Sequence, residues 1–160
     1  MNILLKPRTK WHVIEFFNKT QDDELKKLFP FSNDSLEDAL ILFENSISIN
    51  STSFGNTIYC DNKYIGDIWV YCIDEQDEKM AMLSIVIFDK TYWGQKIGTT
   101  AINRFSKIVF EKYKIDKIGA FTYAYNIPSI KSLIKNNFSL IEEFEENGVL
   151  SNYYELSNNN

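Results

Sequence analysis

YWGQKIGTTAI, residues 92 to 102, is the stretch on which the reading of this chain turns. Before it, MAMLSIVIF at 80 to 88 is a nearly unbroken apolar run that reads as a buried strand. After it, Ala101, Ile102, Phe105, Val109 and Phe110 recur at helical steps and mark a helix of about four turns. A strand that enters a helix through a loop with two glycines, Gly94 and Gly98, presents main-chain amides with no Cβ in the way. The helix amino terminus adds unpaired N–H groups and about half a positive charge. The junction therefore suits a phosphate held over Ile97, Gly98 and Thr99, with Lys96 adding a charge-assisted contact. By itself, such a pair of glycines also describes an ordinary tight turn. No Gly-Lys-Ser/Thr follows and no G-x-G-x-x-G is present, which removes a P-loop and a dinucleotide fingerprint.

Downstream, GAFTYAY at 119 to 125 reads as a strand, Asn126 as a helix cap, and IPSIKSLIKNN as a short helix with Pro128 in its first turn. LIEEFEENGVLSNYYEL reads as two strands around Asn147 and Gly148, a type I′ hairpin signal. Upstream, TIYC at 57 to 60 and YIGDIWVYCI at 64 to 73 form a hairpin across Asp61, Asn62 and Lys63. Ser35 or Asp34 caps a helix with Leu36, Ala39, Leu40, Phe43 and Ile47 on one face. Thr20 opens a shorter helix that has Asp22 and Asp23 early, Lys26 and Lys27 late, and a stop at Pro30. WHVIEFF at 11 to 17 is the expected first strand. The order is strand, two helices, three strands, helix, strand, helix and a strand pair: an α/β class with a mixed sheet and helices on its faces.

With 160 residues and 44% hydrophobic content the chain is expected to form one domain, with the tail fraying from Ser157. A net charge of −5 argues against nucleic acid or anionic lipid and mildly favours a cationic partner. No stretch approaches a membrane span, and Cys60 and Cys72 follow no metal-ligand spacing, so a reducing cytoplasm and no metal are expected.

The decisive stretch resembles the acetyl-CoA pyrophosphate loop of the GNAT superfamily, in particular its RimJ/RimL-like branch, which often reads YWGKGIGTEAL; seven of the eleven positions are identical. Against the family's R/Q-x-x-G-x-G/A, Trp93 stands where Arg or Gln is usual, Lys96 where the first glycine is usual, and Gly98 fills the last position. A competing register puts Gln95 in the Arg/Gln position but displaces the flanking matches. Twenty-eight residues after Gly98, NIPSIKSLIKNNF resembles the family's N-x-x-S-x-x-x-L-x-K-x-G-F through Asn126, Ser129, Leu133, Lys135 and Phe138. The family's glycine is Asn137 here, and Asn also takes a left-handed conformation readily.

The resemblance, over roughly residues 11 to 157, implies a mostly antiparallel sheet splayed between the fourth and fifth strands, with helices on both faces. It implies acetyl-CoA as co-substrate, its pantetheine arm along the backbone of Ile87 and Phe88 and its pyrophosphate on Trp93, Gly94, Gln95, Lys96, Ile97, Gly98 and Thr99. Asn126 and Ser129 would lie near the cofactor, and Lys131 and Lys135 near its 3′-phosphate. The implied partner is an amine acceptor, attacked directly without a covalent enzyme intermediate, and a homodimer is an assembly open to the chain. Catalytic residues stay unassigned. Leu133 stands where many relatives carry a Tyr acid, the base is Asp67, Glu75, a tail tyrosine or water, and His12 reads as structural. Tyr123, Tyr125, Tyr153, Tyr154 and Trp69 suit an aromatic acceptor mouth as well as sheet packing. Two other readings are an acyl-CoA-binding module without catalysis and an unrelated α/β domain for another phosphate ligand.

Overall fold

The computed structural model describes residues 1–29 and 35–159. Among them, seven strands form one sheet: β1 (Ile3–Pro7), β2 (Phe54–Cys60), β3 (Lys63–Asp74), β4 (Met80–Ile87), β5 (Lys117–Tyr123), β6 (Ser139–Glu146) and β7 (Val149–Ser157), in the order β1-β2-β3-β4-β5-β7-β6. All neighbours are antiparallel except β4 and β5. Five helices surround it: α1 (Lys10–Lys19), α2 (Asp23–Leu28), α3 (Leu36–Ser46), α4 (Ile97–Lys112) and α5 (Ile127–Lys135). The expected α/β class and mixed sheet hold.

Both expected hairpins form on left-handed turn pairs, Asp61 and Asn62 at φ 49° and 69°, Asn147 and Gly148 at φ 51° and 80°. The α4 helix supplies the central core contact, burying Ile97, Ala101, Ile102, Phe105 and Val109 against sheet residues such as Ile68, Val70 and Leu83. Truncating Phe105 to Ala would cost about 3–5 kcal/mol by the cavity it leaves.

Three expectations near the ends need correction. WHVIEFF is not a strand but most of α1. His12 Nδ1 accepts the Thr9 N–H at 3.1 Å, a local bond that satisfies an orphan donor and starts the helix in spite of its β-prone side chains. The first strand is ILLKP, whose three apolar residues are too few to show a period; its pairing with β2, Ile3 opposite Cys60, makes it a strand. Thr20 closes α1, its hydroxyl donating to the Phe16 carbonyl at 2.7 Å, and Asp22 caps α2 instead. Ser35 caps α3 as expected, whereas Pro30 and Asp34 lie outside the described residues. The tail is held through Asn158, whose amide donates to Asp116.

The parallel pair is short: β4 and β5 are joined only at Met80↔Lys117, Ala81↔Ile118 and Met82↔Gly119. Beyond Met82 the strands part, while β4 stays paired with β3 and β5 with β7. This is the splay between the fourth and fifth strands.

Candidate functional site

Three groups of residues converge on the gap. The first is the loop from β4 into α4. A 3-10 turn over Lys90–Tyr92 is followed by Gly94 at φ 77° and Lys96 at φ 64°. Lys96 thus occupies, with a side chain, the left-handed conformation that glycine adopts freely, which explains how a family glycine position carries a lysine at a modest cost. Inside α4 the first bonded amide is that of Thr100, to the Lys96 carbonyl at 3.2 Å. The amides of Ile97, Gly98 and Thr99 precede it and have no intrahelical partner. Trp93 latches the loop, its indole N–H donating to the Ile87 carbonyl at 2.9 Å.

The second group is α5. The Asn126 side chain accepts from the Ser129 amide and donates to the Leu28 carbonyl, both at 3.4 Å. The helix closes as a Schellman motif: Asn137 sits at φ 67°, its amide bonding Ile134 and that of Phe138 bonding Leu133. The glycine-to-asparagine departure therefore preserves the backbone. Thr99 Oγ1 donates to Ser132 Oγ at 3.1 Å and Asn136 Nδ2 to the Thr99 carbonyl at 3.0 Å, so the start of α4 is locked against the second half of α5.

The third group is α2, strapped over the gap. Lys90 reaches Asp22 and Glu24 at its start, at 2.9 and 2.8 Å, and Tyr125 and Asn126 donate to Lys27 and Leu28 carbonyls at its end.

Between these elements lies a cavity of about 570 Å³ on the α4–α5 side. It brings together Ile87, Trp93, Gly94, Lys96, Ile97, Gly98, Thr99, Asn126 and Ser129, along with Lys131 and Lys135. Phe88 and Gln95 are outside it. The Phe88 amide donates to Ile65 at 3.0 Å, so by the alternation of an antiparallel ladder residues 83, 85 and 87 carry the backbone groups that face the gap. Gln95 turns back to the Thr91 carbonyl at 2.9 Å. Sequence reading missed Tyr92, Ser132 and the α2 end, Leu28 and Phe29, which also line the cavity.

Through Ile85, Asn126 and Ser129 this space meets a second cavity of about 650 Å³ on the other face of the sheet. Trp69, Tyr71 and Ser84 form one wall; Phe121, Tyr123, Glu142, Phe144, Glu146 and Ser151 form the other. Tyr125 is on the first cavity, and Tyr154 is buried in the opposite face of the sheet. Glu142, Phe144 and Glu146 share one face by their period of two, a signal present in the sequence but not used. Trp69 and Tyr71 also line a third, larger cavity of about 940 Å³ beneath α1 and α3.

Of the suggested bases, Asp67 lies on this third cavity, fully buried, accepting from Tyr64 Oη at 2.7 Å and from Arg8 at 3.4 Å. Burial pushes its carboxyl up to about 6, against the pull of Arg8 and Tyr64. Glu75 accepts the Lys114 amide at 2.8 Å and lines none of the three cavities. Tyr153 donates to Glu155 at 2.7 Å, with burial and that carboxylate raising its pKa. His12 is structural in its contacts. Nδ1 accepts from the Thr9 amide, so the neutral ring carries its proton on Nε2, 2.7 Å from Tyr59 Oη; burial, then Arg8 and Lys6, lower its pKa. Among the described residues no cluster of His, Cys, Asp or Glu could hold a metal, and no helix is long and apolar enough to cross a membrane.

A family model described as acetyltransferase (GNAT) domain matches residues 2–139. The chain belongs to the GNAT acetyltransferases. That sets aside the unrelated phosphate-binding domain and makes the protein an acyltransferase by family. The spermidine N-acetyltransferase of Vibrio cholerae, in complex with CoA and spermine, superposes with a TM-score of 0.84 at 15% identity over 97% of this chain and 95% of its own. RimL, a ribosomal-protein α-N-acetyltransferase in complex with coenzyme A, gives 0.83 at 17% over 98% and 94%. The aminoglycoside acetyltransferase AAC(6')-Ib, in complex with coenzyme A, gives 0.80 at 12% over 98% and 95%. At such identities the likeness speaks for the GNAT fold alone. The sequence matches no curated protein.

Proposed function

We propose that this GNAT protein transfers an acetyl group from acetyl-CoA to a primary amine by direct attack, and that the acceptor carries further positive charge. The carrying observation is the gap beyond Met82↔Gly119, which joins a cavity at two helix amino termini to one walled by aromatic rings and two glutamates. On the first side, the amides of Ile97, Gly98 and Thr99 with Lys96 fit a pyrophosphate, and Lys131 and Lys135 fit a terminal phosphate. Gly98 leaves room there, since a Cβ would find its nearest atom, Ser132 Oγ, at 3.7 Å. The backbone of Ile85 and the Ile87 amide are the edge groups left for a pantetheine arm. Bound there, acetyl-CoA supplies the activated acyl carbon. On the second side, Trp69 and Tyr71 face Glu142 and Glu146 across the cavity, a setting for ammonium groups. Both cysteines are unpaired, as a reducing cytoplasm would leave them. The relatives that act on spermidine and aminoglycosides support a polycationic acceptor.

The test is thiol release from acetyl-CoA with spermidine, kanamycin and short peptides with free amino termini, alongside calorimetric titration with acetyl-CoA. Turnover of a polycation is expected. Binding without release on any amine would leave only an acyl-CoA-binding module, and no binding would remove the reading.

A further inference from the structure

Amine attack expels a thiolate that needs a proton, and Leu133, 3% exposed in the core cluster, has none to give. We propose that Tyr71 donates that proton, an assignment that rests on the acetyl-transfer reading above. Tyr71 stands on β3 directly opposite Met82, the residue at which β4 and β5 part, and its side chain lines the second cavity beside Ser84, next to Ile85 where the two cavities meet. Among the described residues it shares only with Trp69 the position between the second and third cavities, where an acceptor amine arrives.

The chain is bent to place it. The β3–β4 register breaks between Tyr71 and Asp74, and Cys72 takes φ 51°, a left-handed conformation unusual for a residue with a side chain. Such bulges re-aim a side chain beside functional sites. Three other tyrosines are engaged, Tyr153 donating to Glu155 at 2.7 Å, Tyr64 to Asp67 at 2.7 Å and Tyr125 to the Lys27 carbonyl, while Tyr123 stands across the gap on β5 with its ring against Tyr125 and Tyr92 lies in the loop on the phosphate side. Burial raises the Tyr71 pKa, with an opposing hydrogen bond from Ser84, so the phenol is protonated at neutral pH.

The step balances. The amine lone pair forms the N–C bond, the C–S bond breaks with its electrons on sulfur, and the Tyr71 proton passes to that sulfur. The phenolate then takes the proton shed by the acetylated nitrogen. Acetyl-CoA and amine become amide and CoA thiol, and Tyr71 is restored.

The experiment uses full-length protein with 13Cζ-labelled tyrosines, the Tyr71 resonance being assigned by its loss in Tyr71→Phe. Addition of CoA thiol should shift that resonance, and adenosine 3′,5′-bisphosphate, which lacks the pantetheine thiol, should not. In thiol release with spermidine, Tyr71→Phe should lower kcat about 100-fold, in the range of general acid catalysis. The calorimetric Kd for acetyl-CoA should stay within twofold, and the alkaline limb of the wild-type pH profile should vanish. An unshifted resonance with CoA bound, or kcat retained in Tyr71→Phe, overturns the assignment and leaves the acetyl-transfer reading intact. Failure of the wild type to bind CoA overturns both. Should spermidine not turn over, the resonance shift alone decides.

Discussion

The two sides of the gap between β4 and β5 are made of different material. On the α4–α5 side the ligand would meet main chain: three free amides, a left-handed Lys96, and a β4 edge latched by Trp93. On the opposite side it would meet side chains drawn from β3, β4, β5, β6 and β7. Amides tolerate exchange of the residues that carry them. A wall of side chains can be rewritten residue by residue, which teaches why one fold serves acceptors as different as polyamines, aminoglycosides and protein amino termini in the solved relatives.

Breaking the main-chain side should have the largest effect. Gly98→Glu should remove acetyl-CoA binding from calorimetric detection with an unchanged circular dichroism spectrum. Gly98→Ala, whose Cβ meets nothing nearer than Ser132 Oγ at 3.7 Å, Ile87 Cδ1 at 3.8 Å and Ile85 Cδ1 at 4.0 Å, should bind within a few-fold of wild type. Equal affinity in Gly98→Glu would show that the loop does not hold the cofactor.

Next comes the buried carboxyl behind the acceptor side. The folded Asp67 pKa of about 6 is above the ordinary 3.8, so between those values the folded protein keeps a proton that the unfolded chain has lost. Wild-type stability should therefore fall as pH rises through that window. Measured by urea denaturation, the stability of Asp67→Asn relative to wild type should improve from pH 4 to pH 7 by up to about 3 kcal/mol. A pH-independent difference would count against the raised pKa.

The side-chain wall itself should respond more gently. Glu142→Gln and Glu146→Gln should each raise KM for spermidine about tenfold, some 1.4 kcal/mol, and leave KM for acetyl-CoA unchanged. A change in the acetyl-CoA term instead would place these glutamates on the wrong side of the gap. The smallest effect belongs to Lys96→Gly. It should stabilise the fold by at most about 1 kcal/mol in urea, the left-handed penalty less the entropy that glycine adds to the unfolded chain.

Legibility in the sequence followed the same division. The loop, the Asn126 cap and the Asn137 closure are each written in consecutive residues, because helix caps and turns are satisfied locally. Nine of the proposed cofactor residues accordingly fall in one cavity. Phe88 and Gln95 do not, since a register with β3 and a turn back to Thr91 decide where their groups point. WHVIEFF misled because its β-prone composition lost to one local bond, Thr9 to His12, and ILLKP was overlooked because only β2, more than forty residues away in sequence, makes it a strand.

Local order alone therefore determined the α/β class, the phosphate-suited start of α4 and both hairpins, all set by neighbours a few residues apart. Tertiary structure decided the rest. The gap exists because β4 and β5 stop pairing at Met82, and the wall proposed for the acceptor exists because β7 inserts between β5 and β6 and brings Glu142 and Glu146 to the same cavity as Trp69 and Tyr71. Strand pairing is a long-range choice that no short window of sequence records.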